Sequence, residues 1–168
     1  MPEEFHAQLD PPPARPLRAI EYFQQYYLQE LLDYIAFQTN LYSIQSNHNL
    51  NVTGMDIRRL IGALLLMGVF GIPQIRMYWQ ELTRVPQIAE HIARDTFLDI
   101  FKHIHFNDNT FIVHNRENPS YDRLFKVRPL LDRIRSSCLL ISQDEKQSID
   151  EMMIPFKGQN KLKQYLPK

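Results

Sequence analysis

The chain has 168 residues, 44% of them apolar and 23% charged, an ordinary globular profile that excludes wholesale disorder and gives room for one domain with a core, or one domain and part of another. Lys plus Arg match Asp plus Glu at 19 each, so whole-chain charge points to no nucleic-acid partner. Cys138 is the only cysteine, which excludes an intramolecular disulfide and a Cys-rich zinc module and fits a reducing compartment.

Residues 1–16, with "PPPARP" at 11–16, read as a flexible or polyproline-like lead-in. They carry Glu3, Glu4 and Asp10 and no apolar h-region, so no secretory signal is expected there. Helical periodicity then begins. Ile20, Phe23, Tyr27, Leu31 and Tyr34 recur at steps of three and four, predicting one helix of about five turns with a single apolar stripe.

"NVTGMDIRRL" opens a second helix. Thr53 or Asn51 can cap it, Asp56 suits the positive end of its dipole, and Ile57, Leu60, Ile61, Leu64 and Leu65 form its apolar face. Gly71 and Pro73 end it. Leu60 to Ile75 is a run of sixteen residues without a charge, short of the ~20 that span a bilayer and interrupted by Gly and Pro, so it reads as a core helix and no membrane partner is expected.

Tyr78 and Trp79 follow as bulky core anchors rather than a platform for stacked bases. In "VPQIAEHIARDTFLDIFKHIHF", Asp95 is a candidate cap for a helix carrying Phe97, Ile100, Phe101 and Ile104. "NDNTFIVHNRENPSYDR" reads as a loop. A last helix over about 125–141 shows Leu131, Ile134, Cys138 and Ile141 at helical spacing, with Pro129 near its start and Cys138 expected in the core. His103 and His105, two apart, point to different faces of a helix, so with nearby His114 they read as surface or hydrogen-bonded histidines rather than a zinc pair.

The pattern changes after "SQDEKQ". Residues 148–156 lose the helical step, Gly158-Gln159-Asn160 is a turn signal, and "KLKQYLPK" alternates, predicting a strand, a turn and a second strand. The fold class is therefore mainly α, four or five helices followed by the first hairpin of a β-containing domain, and no internal repeat is visible. From Ile154 to Lys168 there are four Lys and no acid, a local cationic end. Asp150, at the start of the apolar strand, is either a turn residue or a metal ligand, since a buried carboxylate is costly without a partner or a cation. A strand can hold a carboxylate for Mg²⁺, and two such ions ~4 Å apart can drive phosphodiester cleavage. The residue alone does not separate these readings.

"SIDEMMIPFKGQNKLKQYLPK" resembles the opening of the catalytic domain of piggyBac-type transposases and their domesticated descendants. "LLLMGVFGIPQIRMYWQ" is similar to the family's apolar helix and Tyr-Trp pair, "IARDTFLDIFKHIHFND" to its Arg-Asp-x-Phe helix ending in His-Phe, and "DRLFKVRPLLDRI" to its Lys-Val-Arg-Pro helix. These motifs run in order over roughly residues 50–168. Thr96 stands where the family carries a charged residue, a mild departure.

The resemblance implies a helical dimerisation and DNA-binding region over residues 17–147. After it, residues 148–168 would begin an RNase H-like core that uses three Asp and Mg²⁺ to cut transposon ends and join them to a TTAA target. It implies a nuclear location, DNA and a second copy of the chain as partners, no small-molecule cofactor, and Asp150 as the first of the three catalytic, metal-binding Asp. The chain ends at Lys168 without the other two, so the expectation is a truncated protein that does not cleave DNA or bind Mg²⁺ tightly by itself.

Arg123, Lys126, Arg128, Arg133 and Arg135 place five cations on or next to the last helix against Asp122 and Asp132. With Lys157, Lys161 and Lys163, Arg128 and Arg133 are the candidate DNA contacts. An ordinary solvated face is the competing reading, and the alternative function is a helical protein-interaction module without DNA binding.

Overall fold

The structure, a computed structural model, describes residues 15–141, 146–150 and 163. The chain divides into two compact units, Pro12–Ile141 and a second combining Met1–Pro11 with Ser142–Lys168. Every helix among the described residues belongs to the first: α1 (Ala19–Tyr26), α2 (Gln29–Gln45), α3 (Gly54–Phe70), α4 (Pro86–Ala89), α5 (Arg94–His103) and α6 (Arg128–Leu139). None is long and apolar enough to cross a membrane.

The five-turn helix expected from Ile20 to Tyr34 is two helices. Tyr27 and Leu28 leave helical geometry, with Tyr27 at φ −110°, ψ 70°. No Gly or Pro causes the break. α1 packs against α6, whereas α2 packs against α3 and α5, and one straight helix with one stripe cannot serve both sets of partners. The exposures follow the split: Leu31, Leu32, Ile35 and Ala36 of α2 are buried, while Ile20 of α1 is exposed.

α3 starts as its sequence requires. The Thr53 hydroxyl accepts from the Asp56 amide at 3.3 Å, and the Asp56 carboxylate accepts from the Thr53 amide at 3.0 Å. Burial opposes ionisation of Asp56, yet Thr53 and Arg59 hold its carboxyl below the usual range. Gly71 ends the helix in the left-handed region, φ 63°, its amide bonding the Met67 carbonyl at 2.9 Å. Ile57, Leu60 and Ala63 are buried. Leu64 and Leu65, expected on the same face, are exposed, as are Val69 and Phe70, whereas Leu66 and Met67 between them are half-buried against the core.

Tyr78, fully buried, locks that exit: its hydroxyl donates to the Met67 carbonyl at 2.9 Å and accepts from the Ile72 amide at 3.0 Å. The Trp79 indole N–H donates to the Ile92 carbonyl at 2.9 Å, and its ring tilts against Phe97 at 5.2 Å. Both aromatics are core anchors, as read from sequence.

α5 is capped by Ala93, not by Asp95, which lies in the first turn and pairs with the Arg94 side chain at 2.8 Å. Ala93 offers no capping oxygen, so the helix is held by burial of Phe97 and Ile100. The segment after it is a loop braced by Asx turns at Asp108, Asn115, Asn118 and Asp122. α6 begins at Arg128 rather than 125, and none of its residues is buried. Cys138, expected in the core, is exposed: the stripe it shares with Leu131 exists, but α1 covers only part of it.

In the second unit, Ser148, Ile149 and Asp150 are exposed and form neither helix nor strand. The hairpin expected over 148–168 lies, apart from residues 148–150 and 163, outside the described residues.

Candidate functional site

α2 ends in a cap that fixes the chain after it. Ser46 closes the helix, Asn47 adopts φ 55°, the His48 amide bonds the Ser43 carbonyl at 2.8 Å and the Asn47 amide bonds the Ile44 carbonyl at 3.0 Å. This is a Schellman motif with Asn in the left-handed position. The following segment is pinned to α2 by side chains. Asn40 pairs with both the amide and the carbonyl of Val52, at 2.8 and 2.9 Å, and the Ser43 hydroxyl accepts from the Leu50 amide at 3.1 Å. His48 is thereby delivered to α5.

On α5, Asp99 and His103 are four residues apart and share a face. His103 is buried, its Nδ1 lies 2.8 Å from the Asp99 carbonyl oxygen, and its ring stacks on His48 with centroids 4.7 Å apart and planes 3° from parallel. One ligating atom from each of His48, Asp99 and His103 falls within 4.8 Å of the others. No local motif announces this trio, because His48 joins it from 51 positions before Asp99; the i, i+4 pair on α5 was the one readable trace of it. His105, weighed in sequence as a partner of His103, turns away. It stacks on Tyr42 at 3.5 Å and its Nε2 meets the side-chain Nδ2 of Asn109 at 3.1 Å; burial above all, with Lys126 nearby, lowers its pKa.

The cations of the last helix separate into two sets. Arg128 and Arg135, seven residues apart, lie on one face; Arg133 lies on another, where it reaches Glu30 of α2 at 3.5 Å. Arg128 grips Asp122 through two bonds of 2.7 Å, and that guanidinium holds the Asp122 carboxyl at about 2. Asp132 adds to the field on Arg128. Lys126 and Arg135 are exposed and make no ion pair with a described residue. Locally, then, Lys126, Arg128 and Arg135 face the carboxylates of Asp122 and Asp132, a modest positive excess.

Of the remaining sequence candidates, Asp150 and Lys163 are exposed, outside any helix, and each has interactions of its own. Lys157 and Lys161 lie outside the described residues. Mg²⁺ requires oxygen donors in near-octahedral array. Among the described residues the one group of three ligating side chains is His48, Asp99 and His103, and two imidazoles do not fit that ion. Asp150 belongs to no such group among the described residues.

Sequence comparison adds ancestry to this geometry. The family described as Transposase IS4 matches residues 18–168. The chain is similar to PiggyBac transposable element-derived protein 3 of Homo sapiens, 29% identical over 140 residues that cover 82% of this chain and 23% of that protein. It is 31% identical over 153 residues to PiggyBac transposable element-derived protein 2 of Homo sapiens, covering 88% of this chain and 24% of that protein. The chain thus spans about a quarter of the length of these curated relatives. No solved structure matches it.

Proposed function

Because this chain belongs to the Transposase IS4 family and is a piggyBac-derived, transposase-like protein, we propose that its helical region, residues 17–147, is a nuclear DNA-binding and dimerising segment. Asp150 is then the first carboxylate of an RNase H-like catalytic set. The observation supporting the DNA contact is the face of α6 that carries half-buried Arg128 and exposed Arg135, with exposed Lys126 two residues before the helix. Arg133 and the lysines at 157, 161 and 163 extend the candidate contacts. Phosphate recognition asks for mobile cations rather than a shaped pocket, so affinity is sequence-independent and weak.

One carboxylate does not complete a two-metal site, so these 168 residues by themselves do not cut DNA. Gel retardation of duplex DNA at increasing salt tests the reading. Retention at low salt that fades as salt rises is expected; no retention at low salt, or retention insensitive to salt, defeats it. Mg²⁺-dependent cleavage abolished by Asp150→Ala would overturn the inactivity.

A second reading, a helical protein-interaction module without DNA binding, is favoured by the exposed apolar side chains of α3: Leu65 is 60% and Val69 81% exposed, with Phe70 beside them. Light scattering that shows a discrete assembly indifferent to DNA supports it.

A further inference from the structure

We propose that His48, Asp99 and His103 form a binding site for a divalent transition metal of the zinc class, which ties the segment after α2 to α5. The proposal stands apart from the DNA reading and from the catalytic carboxylate at Asp150.

Three features carry it. The donor set, two imidazoles and a carboxylate, is one that zinc accepts with a water in the fourth position. The tautomer of His103 is settled by its neighbour: a carbonyl oxygen only accepts, so Nδ1 at 2.8 Å from the Asp99 carbonyl carries the proton. That leaves the lone pair on Nε2, the arrangement in which a ligating histidine is oriented and made more basic by its second nitrogen. Finally, the backbone has already placed the ligands. Asp99 and His103 sit one turn apart on α5, and the left-handed Asn47 with the His48–Ser43 bond presents His48 to them.

Parallel stacking is not itself a coordination geometry. Tetrahedral bonds of about 2.1 Å bring donors to roughly 3.4 Å from one another, closer than the present limit of 4.8 Å. His103 is buried and fixed, whereas His48 and Asp99 are exposed, and rotation of their side chains supplies the approach. Stacked imidazoles with no affinity for metal are the competing account.

The test is calorimetric titration of the whole chain with zinc chloride, repeated with cobalt(II) to read the visible absorption of a four-coordinate ion. The variants are His48→Ala and Asp99→Asn, exposed positions whose replacement leaves the core intact, with circular dichroism to verify the fold. His91→Ala, an exposed histidine outside the trio, is the control. One bound equivalent is expected, weakened about tenfold or more in each of the two variants and unchanged in the control. Absence of saturable binding, or affinity that survives either His48→Ala or Asp99→Asn, overturns the site.

Discussion

The Asp122 carboxylate receives two parallel bonds from the Arg128 guanidinium, Nε to Oδ2 and Nη2 to Oδ1, both 2.7 Å long. The pair closes the turn that leads into α6 and holds the carboxyl at about 2, below the ~3.9 of an unfolded chain. A depressed carboxyl stabilises the fold fully above the unfolded value and loses that contribution as pH falls through the folded one. Asp122→Asn is therefore expected to lower the thermal midpoint at neutral pH by a small amount, since the pair is partly exposed. Its midpoint should meet the parent's as pH drops from about 4 to about 2. Midpoints that stay apart at the acid end contradict the linkage.

For duplex DNA, Lys126→Glu with Arg135→Glu is expected to cut the slope of log affinity against log salt by about two contacts, each worth roughly 0.9. Arg133→Ala should matter less, because its guanidinium points to Glu30. An equal or larger loss from Arg133→Ala shifts the interface to the α2 side of the helix.

Tyr78→Phe removes one hydroxyl and strands two backbone groups, the Met67 carbonyl and the Ile72 amide. In so buried a place the expected cost is about 1–3 kcal/mol, read from urea unfolding. A neutral effect means that water reaches both groups.

Asn47 tolerates its positive φ because a short polar side chain costs little there. Asn47→Val is expected to destabilise by about 1–2 kcal/mol, while Asn47→Gly leaves stability near the parent value. If His48 is held by this cap, the Val variant also weakens zinc binding and the Gly variant preserves it. Titrating both with zinc chloride after verifying their folds reads the coupling directly.

Interactions spanning a few residues were legible without coordinates. The Thr53–Asp56 box, Gly71 at the end of α3, the Asx-braced loop and the burial of Tyr78 all follow from spacing and residue type. The break at Tyr27–Leu28 was not, since neither residue forbids a helix and the cause is two sets of packing partners. Asp95 fits a helix start by chemistry alone, and the cap went instead to Ala93, where the backbone turns. Cys138 shows the limit of periodicity: a stripe on α6 is real, but a stripe does not reveal how much of it a neighbour covers.

Family ancestry resided in the order of motifs, and the helical character in their 3.6-residue rhythm; both were fixed along the chain. Bringing His48 to Asp99 and His103, turning His105 away toward Tyr42, and pairing Arg133 with Glu30 of α2 were decisions of the tertiary structure. They depend on which helices meet, and the energy that chooses those meetings is burial shared among residues far apart in sequence, which no local window contains.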